Sequence, residues 1–313
     1  MTSSPPVSKP AGLSARVLIA IAVTVLAWAS AFVVIRGTAP YFTGGALALG
    51  RLLVGTLVLG VVVVVGRRWI WPNGREWALI LVFGIAWFGA YNVALNIAEH
   101  SLDAGTTAMI VNIGPILIAL GAGLFLREGI PKWLAIGAGV AFIGVILIGI
   151  ASGASGFTNG AGILWCLLAA LTYAAGVLVQ KPVLKRLPNA QVTWMGCTIG
   201  ALACLPFAGD LARGLSTAPL VGILGVVYLG AIPTALAFST WAYALSRMPA
   251  GQLGVSTYVV PPVAIILALI AFGVVPPVLA IVGGAVCLIG VALSRRKPRV
   301  HEPVPTRAES LAE

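Results

Sequence analysis

The sequence predicts an all-α integral membrane protein: ten transmembrane helices arranged as two inverted-topology five-helix repeats. Three observations carry that prediction. First, the 313 residues are 60% hydrophobic and 9% charged, with a mean hydropathy of +1.06. Soluble domains carry about 25% charged residues, so lipid is the solvent for most of this surface. The apolar runs are continuous rather than alternating, which excludes a membrane β-barrel. Second, one hydrophobic pattern occurs twice at a single ungapped offset of 146 residues. Ala104-Gly105 recurs as Ala250-Gly251, Pro115 as Pro261, Pro131 as Pro277, Gly137 as Gly283 and Gly144-Val145 as Gly290-Val291. Paired halves of this kind pack about a pseudo-symmetry axis and build a site near mid-membrane. Third, sixteen of the 19 lysines and arginines fall on one side of a ten-span threading. Only Arg36 and Arg213 fall on the other side, and Arg51 lies within a span. The positive-inside rule then places both termini in the cytoplasm. Five spans per half is an odd number, so the second half must be inverted.

A helix needs about 20 apolar residues to cross the hydrocarbon core. The first span, 15–36, follows a Pro/Ser-rich tail without a secretory cleavage pattern and is expected to be retained. The second, 40–65, carries GALALGRLLVG with Arg51 and stops at Arg67-Arg68. The third, 76–98, begins after Pro72. The fourth, 104–126, contains the NIGP step and ends at Arg127-Glu128. Pro131 opens the Gly-rich fifth, 131–151. SGASGFTNG then separates the halves. The sixth to tenth spans are expected at 160–181, 190–208, 218–246, 250–272 and 276–294, the ninth containing YVVPP. Residues 1–14 and 295–313 are read as cytoplasmic tails around repeats at 15–151 and 160–294. Trp69, Trp71, Trp77, Trp133 and Trp194 fall at cytoplasmic helix ends, where indoles favour the interface.

Polar groups within spans are costly and point to function. Asn92, Asn96, Glu99 and Asp103 share one face of the third helix, flanked by Trp87 and Tyr91. That face is read as the wall of a substrate cavity, against the alternative that the asparagines bond other helices. Trp28 and Tyr173 hold matching places in LAWASAFVVIR and LTYAAGVLVQK, and Gln180 lies two turns beyond Tyr173 on the same face. They are candidates to stack on and hold a ligand. Pro115, Pro261 and Pro262 are expected to kink or gate their helices, because proline removes a backbone hydrogen bond. Asn112 and Tyr258 beside them match at the repeat offset and should face one axis. Arg51 is the lone deep cation. It and Glu128 are assigned structural roles, since neither recurs: Cys197 and Val274 stand in their places.

The absences narrow the class. No span carries a carboxylate at its centre, which disfavours carboxylate-driven antiport. There is no HExxH, GxSxG or phosphate loop, so a membrane enzyme or scaffold is disfavoured. The cysteines, Cys166, Cys197, Cys204 and Cys287, lie in apolar runs without CxxC spacing and are read as core filler. No metal or other cofactor is expected. The net charge of +11 follows topology and does not indicate nucleic acid.

The stretch IAEHSLDAGTTAMIVNIGPILIALGAGLFLREGIPKWLAIGAGVAFIGVILI resembles the EamA module of the drug/metabolite transporter superfamily. The match rests on Ala104-Gly105, Pro115, Glu128, and Gly137, Gly139 and Gly144, and Arg51 looks like the family's second-helix arginine. The resemblance spans nearly all of 15–294. Among its members the chain looks most like the YddG-type aromatic amino acid exporters, on its aromatic-rich central helices and ten spans. It implies export of small metabolites, often amino acids, across a bacterial inner membrane. The expected function is therefore an amino acid exporter or facilitator of broad specificity, aromatic amino acids included, working by alternating access. A drug or nucleotide-sugar carrier is the alternative. The expected partners are a small-molecule substrate, amino acids, and the lipid bilayer; no oligomeric state follows, a monomer being one option.

Overall fold

The computed structural model describes residues 13–101, 110–151, 160–273 and 275–296. Backbone polar groups in lipid must be satisfied within the segment, which favours helices, and every regular element among the described residues is helical. They are α1 (Ala15–Thr38), α2 (Gly44–Gly66), α3 (Gly74–Ala98), α4 (Gly114–Phe125), α5 (Lys132–Ala151), α6 (Gly160–Val183), α7 (Asn189–Ala203), α8 (Ala208–Thr217), α9 (Leu220–Leu245), α10 (Ala250–Ala271) and α11 (Val278–Ser294).

Seven of these, α1, α2, α3, α5, α6, α9 and α10, are long and apolar enough to cross a membrane. The expected ten full-length spans are thus not all present among the described residues. α4 and α11 are apolar but short. α4 starts only at Gly114 because the chain turns at Asn112 and Ile113, and residues 102–109 lie outside the described ones. The expected span 190–208 is also shorter. It stops at Ala203, and the chain bends by 54° into Leu205–Thr217. Asp210 and Arg213 of α8 pair with one another on its exposed side, while Leu211 and Gly214 are buried.

Local chemistry sets the ends. The Thr43 hydroxyl accepts from Ala46 N at 3.3 Å to start α2. Asn73 and Glu76 form a reciprocal capping box at α3, 2.9 and 2.8 Å long. α4 and α10 both end in a left-handed turn, at Arg127 (φ 56°) and Gly273 (φ 67°), which are repeat mates.

The halves interlock. α1 packs on α9 and α10 of the second half, and α6 packs on α3 and α4 of the first. α2 pairs with α7, and α5 with α11. In the last pair glycines permit backbone contact. A Cβ on Gly144 would lie 2.6 Å from Gly283 O, and one on Gly137 would lie 2.5 Å from Gly290 O. Residue numbers rise along one helix as they fall along the other, so α5 and α11 run antiparallel. Cys287 Sγ donates to Ala141 O at 3.3 Å at their crossing, again 146 residues apart.

Two seven-residue π-helical segments interrupt α3 and α9, at Gly84–Ala90 and Gly230–Leu236. They begin at repeat mates, and π segments are frequent at functional sites.

Candidate functional site

The first π segment turns aromatic side chains into the buried middle of the bundle. Trp87, from the first, is 2% exposed. Its ring centre lies 5.1 Å from Tyr173 on α6, 6.1 Å from Trp28 on α1, and 4.9 and 5.5 Å from Phe238 and Trp241 on α9. Trp28 meets Trp241 at 5.1 Å, and Tyr91 meets Tyr173 at 5.9 Å. Two helices of each half therefore meet in one aromatic cluster with edge-to-face and tilted pairs, the arrangements that ring quadrupoles favour.

Backbone groups released by the π segments are satisfied by side chains. Pro233 has no N–H to offer Leu229 O, and Thr234 Oγ1 donates to that oxygen at 2.8 Å. Pro233 O accepts from Trp28 Nε1 at 3.2 Å, which fixes the indole. Arg51 Nε donates to Thr234 Oγ1 at 3.0 Å, so the deep cation serves this discontinuity. In α3, Asn92 Nδ2 donates to Phe88 O at 2.8 Å and Trp87 O at 3.3 Å. Asn96 Nδ2 donates to Gly44 O at 2.7 Å. Both asparagines are buried, and their amide nitrogens tie main-chain carbonyls. The side chains of Glu99 and Asp103 lie outside the described residues.

Three other buried groups have no such partner. The Tyr173 hydroxyl, Trp241 Nε1 and both amide atoms of Gln180 are buried and lack hydrogen-bond partners. The neighbouring Thr257 hydroxyl spends its proton on Gly254 O at 2.7 Å, so towards Tyr173 it can only accept. Gln180 is 0% and Trp241 1% exposed. Leaving such groups unpaired costs about 1–3 kcal/mol each, a cost that a ligand can offset.

The prolines lie at helix starts or breaks. Pro115 lies in the first turn of α4. Pro261 and Pro262 follow a one-turn 3₁₀ segment, Thr257–Val259, that breaks α10. Prolines are tolerated there because first-turn N–H groups have no helical acceptor. Ile116 N bonds Ile113 O, leaving Asn112 O to accept from Tyr258 Oη at 3.0 Å. It is the main chain of Asn112 that makes this contact.

At one end of the bundle, where basic residues gather, Glu128 closes a latch. Its Oε1 lies 3.4 Å from Lys181 Nζ, and its Oε2 accepts from Ala250 N at the start of α10, 2.7 Å away. Lys181 donates to Leu245 O at 2.7 Å and to Met248 O. The latch joins the end of α4, the end of α6 and the α9–α10 turn. Beside it, Gln191 clamps Ile70 through both amide atoms, at 3.0 and 2.7 Å. Arg186 holds Glu76 and Trp71 O.

Sequence reasoning missed Phe238 and Trp241. The repeat offset carries the Asn92 position to Phe238, so the signal was present in the pairing of the halves.

The pattern of the EamA-like transporter family matches residues 15–150 and again 160–296. A protein of Streptantibioticus cattleyicolor named a probable terminal-alkyne amino-acid exporter is 36% identical over 282 residues, covering 89% of this chain and 93% of its own. An uncharacterized transporter of Bacillus subtilis, YdfC, is 34% identical, covering 86% and 88%. A probable amino-acid metabolite efflux pump of Salmonella typhimurium is 23% identical, covering 69% and 76%. A solved crystal structure shares the fold at a TM-score of 0.76 with 20% identity, over 90% of this chain and 99% of that one.

Proposed function

The chain belongs to the EamA-like transporter family and is a membrane transporter; from that premise we propose that it exports neutral amino acids through the aromatic centre. The carrying observation is the pair of unpartnered polar groups, Tyr173 Oη and Trp241 Nε1, inside a cluster of aromatic rings, with the equally unpartnered Gln180 amide two turns further along α6. Together they supply donors and acceptors but no fixed charge. A zwitterion can be held by such neutral dipoles, while Trp28, Trp87, Tyr91 and Phe238 enclose its side chain. Among the described residues the rings of this cluster include no ionised side chain, so amino acids with charged side chains lack a counter-ion within it. The relatives named for amino-acid export support this substrate class, and the first extends it to slender unsaturated side chains.

Two inverted five-helix repeats, 15–151 and 160–294, cross an inner membrane ten times in this reading, with α4, α7 and α11 as the shorter spans and both termini in the cytoplasm. Access alternates as α3, α4 and α6 rock against α1, α9 and α10. The packing of α1 and α6 across the halves supports that grouping, and the Glu128–Lys181 latch would hold the cytoplasmic side closed.

The test is uptake of labelled phenylalanine, methionine, threonine and propargylglycine into liposomes, with and without a pH gradient. Flux for at least one neutral amino acid, absent for lysine and glutamate, is expected. No flux above empty liposomes, or flux only for a lipophilic drug or a nucleotide sugar, sinks the proposal.

A further inference from the structure

A cavity of about 420 Å³ lies at the basic end of the bundle, apart from the aromatic centre. The start of α3, the end of α4 and the end of α6 enclose it, through residues that include Arg75, Leu79, Phe125, Arg127, Lys181 and Lys185. We propose that it binds the phosphodiester headgroup of an acidic phospholipid.

The charge balance points that way. Two carboxylates, Glu76 and Glu128, also line the cavity, but both are engaged elsewhere. Glu76 binds Arg186 and closes its own capping box. Glu128 binds Lys181 and the Ala250 amide. Neither neutralises Arg75, Arg127 or Lys185, which are exposed. Basic pockets between helices at the membrane surface suit acidic headgroups.

The remaining wall fits the rest of the molecule. Phe125 is 78% exposed at the end of α4, and with Leu79 and Leu126 it forms the apolar part of the cavity wall. Trp71 and Trp77 are exposed near the start of α3, where indoles mark headgroup depth. Cations above an apolar wall at that depth match a lipid rather than a free ion.

Arg127 adds an independent sign. It adopts φ 56°, where its repeat mate Gly273 adopts φ 67°. Glycine tolerates this turn and arginine is strained by it. The first half nevertheless places a guanidinium at the turn, and the cavity is what that side chain lines.

The test uses the full-length protein in nanodiscs. Thermal unfolding is compared in phosphatidylcholine alone, with phosphatidylglycerol added, and with inorganic phosphate added instead. Wild type should be stabilised by phosphatidylglycerol and not by phosphate. The variant Arg75→Gln/Arg127→Gly/Lys185→Gln should lose that response, with apparent lipid affinity falling on the order of fivefold per cation removed. Arg16→Gln/Arg68→Gln/Lys132→Gln, which removes equal charge from the same end, should keep it. Arg127→Gly alone relieves the strained turn, stays folded and should weaken the response by itself. An unchanged response in both cavity variants, an equal loss in the control, or a full response to phosphate would each overturn the assignment.

Discussion

The hydroxyl of Tyr258 donates to the main-chain oxygen of Asn112 at 3.0 Å, and the two residues are 146 positions apart. That is the repeat offset, so the break in one half is stabilised by a residue at the corresponding break of the other. The bond lies where the pseudo-symmetry axis passes between α4 and α10. Tyr258→Phe removes the donor and leaves a carbonyl in a dry setting. A loss of about 1 kcal/mol is expected, read as a lower unfolding temperature in detergent. An unchanged midpoint would show that another group satisfies Asn112.

Gln180 should behave in the opposite sense. Its amide is fully buried with no partner, so Gln180→Leu removes an unpaired group at similar volume. Stability should rise by about 1–2 kcal/mol while amino acid flux falls. This exchange of activity for stability is common where a site is built for a ligand. A variant that is less stable, or that transports normally, would remove Gln180 from the site.

The aromatic centre predicts a separable effect. Trp241→Phe keeps a ring against Trp28 and Trp87 but deletes the unpartnered Nε1 donor. Binding should weaken by about 1 kcal/mol, on the order of fivefold in half-saturating concentration, with the unfolding midpoint little changed. Equal flux at all concentrations would argue that the indole only packs.

The α5–α11 contact can be tested with two alanines. Gly144→Ala places a methyl 2.6 Å from Gly283 O, whereas a Cβ on Gly139 meets nothing within 4 Å. The first should cost about 1–3 kcal/mol. The second should be neutral or stabilising by up to about 1 kcal/mol, since alanine is the better helix former. Similar midpoints for both would refute the close crossing.

The latch gives a graded series. Glu128→Gln retains an acceptor for the Ala250 amide but loses the attraction to Lys181, and Glu128→Ala loses both. The order of stability should be wild type, Gln, then Ala, with the alanine costing about 1–3 kcal/mol. Thermal unfolding decides it, and equal Gln and Ala midpoints would leave the helix cap without a role.

Much of this was legible in the sequence, because repeated glycines and prolines mark backbone geometry. Gly137, Gly144, Gly283 and Gly290 could be paired by offset alone, and so could Asn112 with Tyr258. Side-chain roles were harder to read. Asn92 and Asn96 looked like cavity lining because they share a polar face, but periodicity cannot tell an amide facing a ligand from one bonded to carbonyls. The π segment that the Asn92 amide satisfies has no composition of its own. Trp241 sits in FSTWAYAL with no charged or amide neighbour to mark it, and only packing across the halves brings it to the centre. The break after Ala203 was hidden because LPFAGDLARGL reads as an apolar run entering a loop.

The glycine crossing of α5 and α11 has a thermodynamic consequence. Gly137 meets Gly290 while Gly144 meets Gly283, so exchanging the halves returns the same contacts. At its glycines a joint of this kind has little by which to favour one face of the bilayer, because two-fold-related tilts keep the same backbone contacts. Any resting preference must come from residues that break the repeat, and the Glu128 latch, which has Val274 as its counterpart, is where that bias would be written.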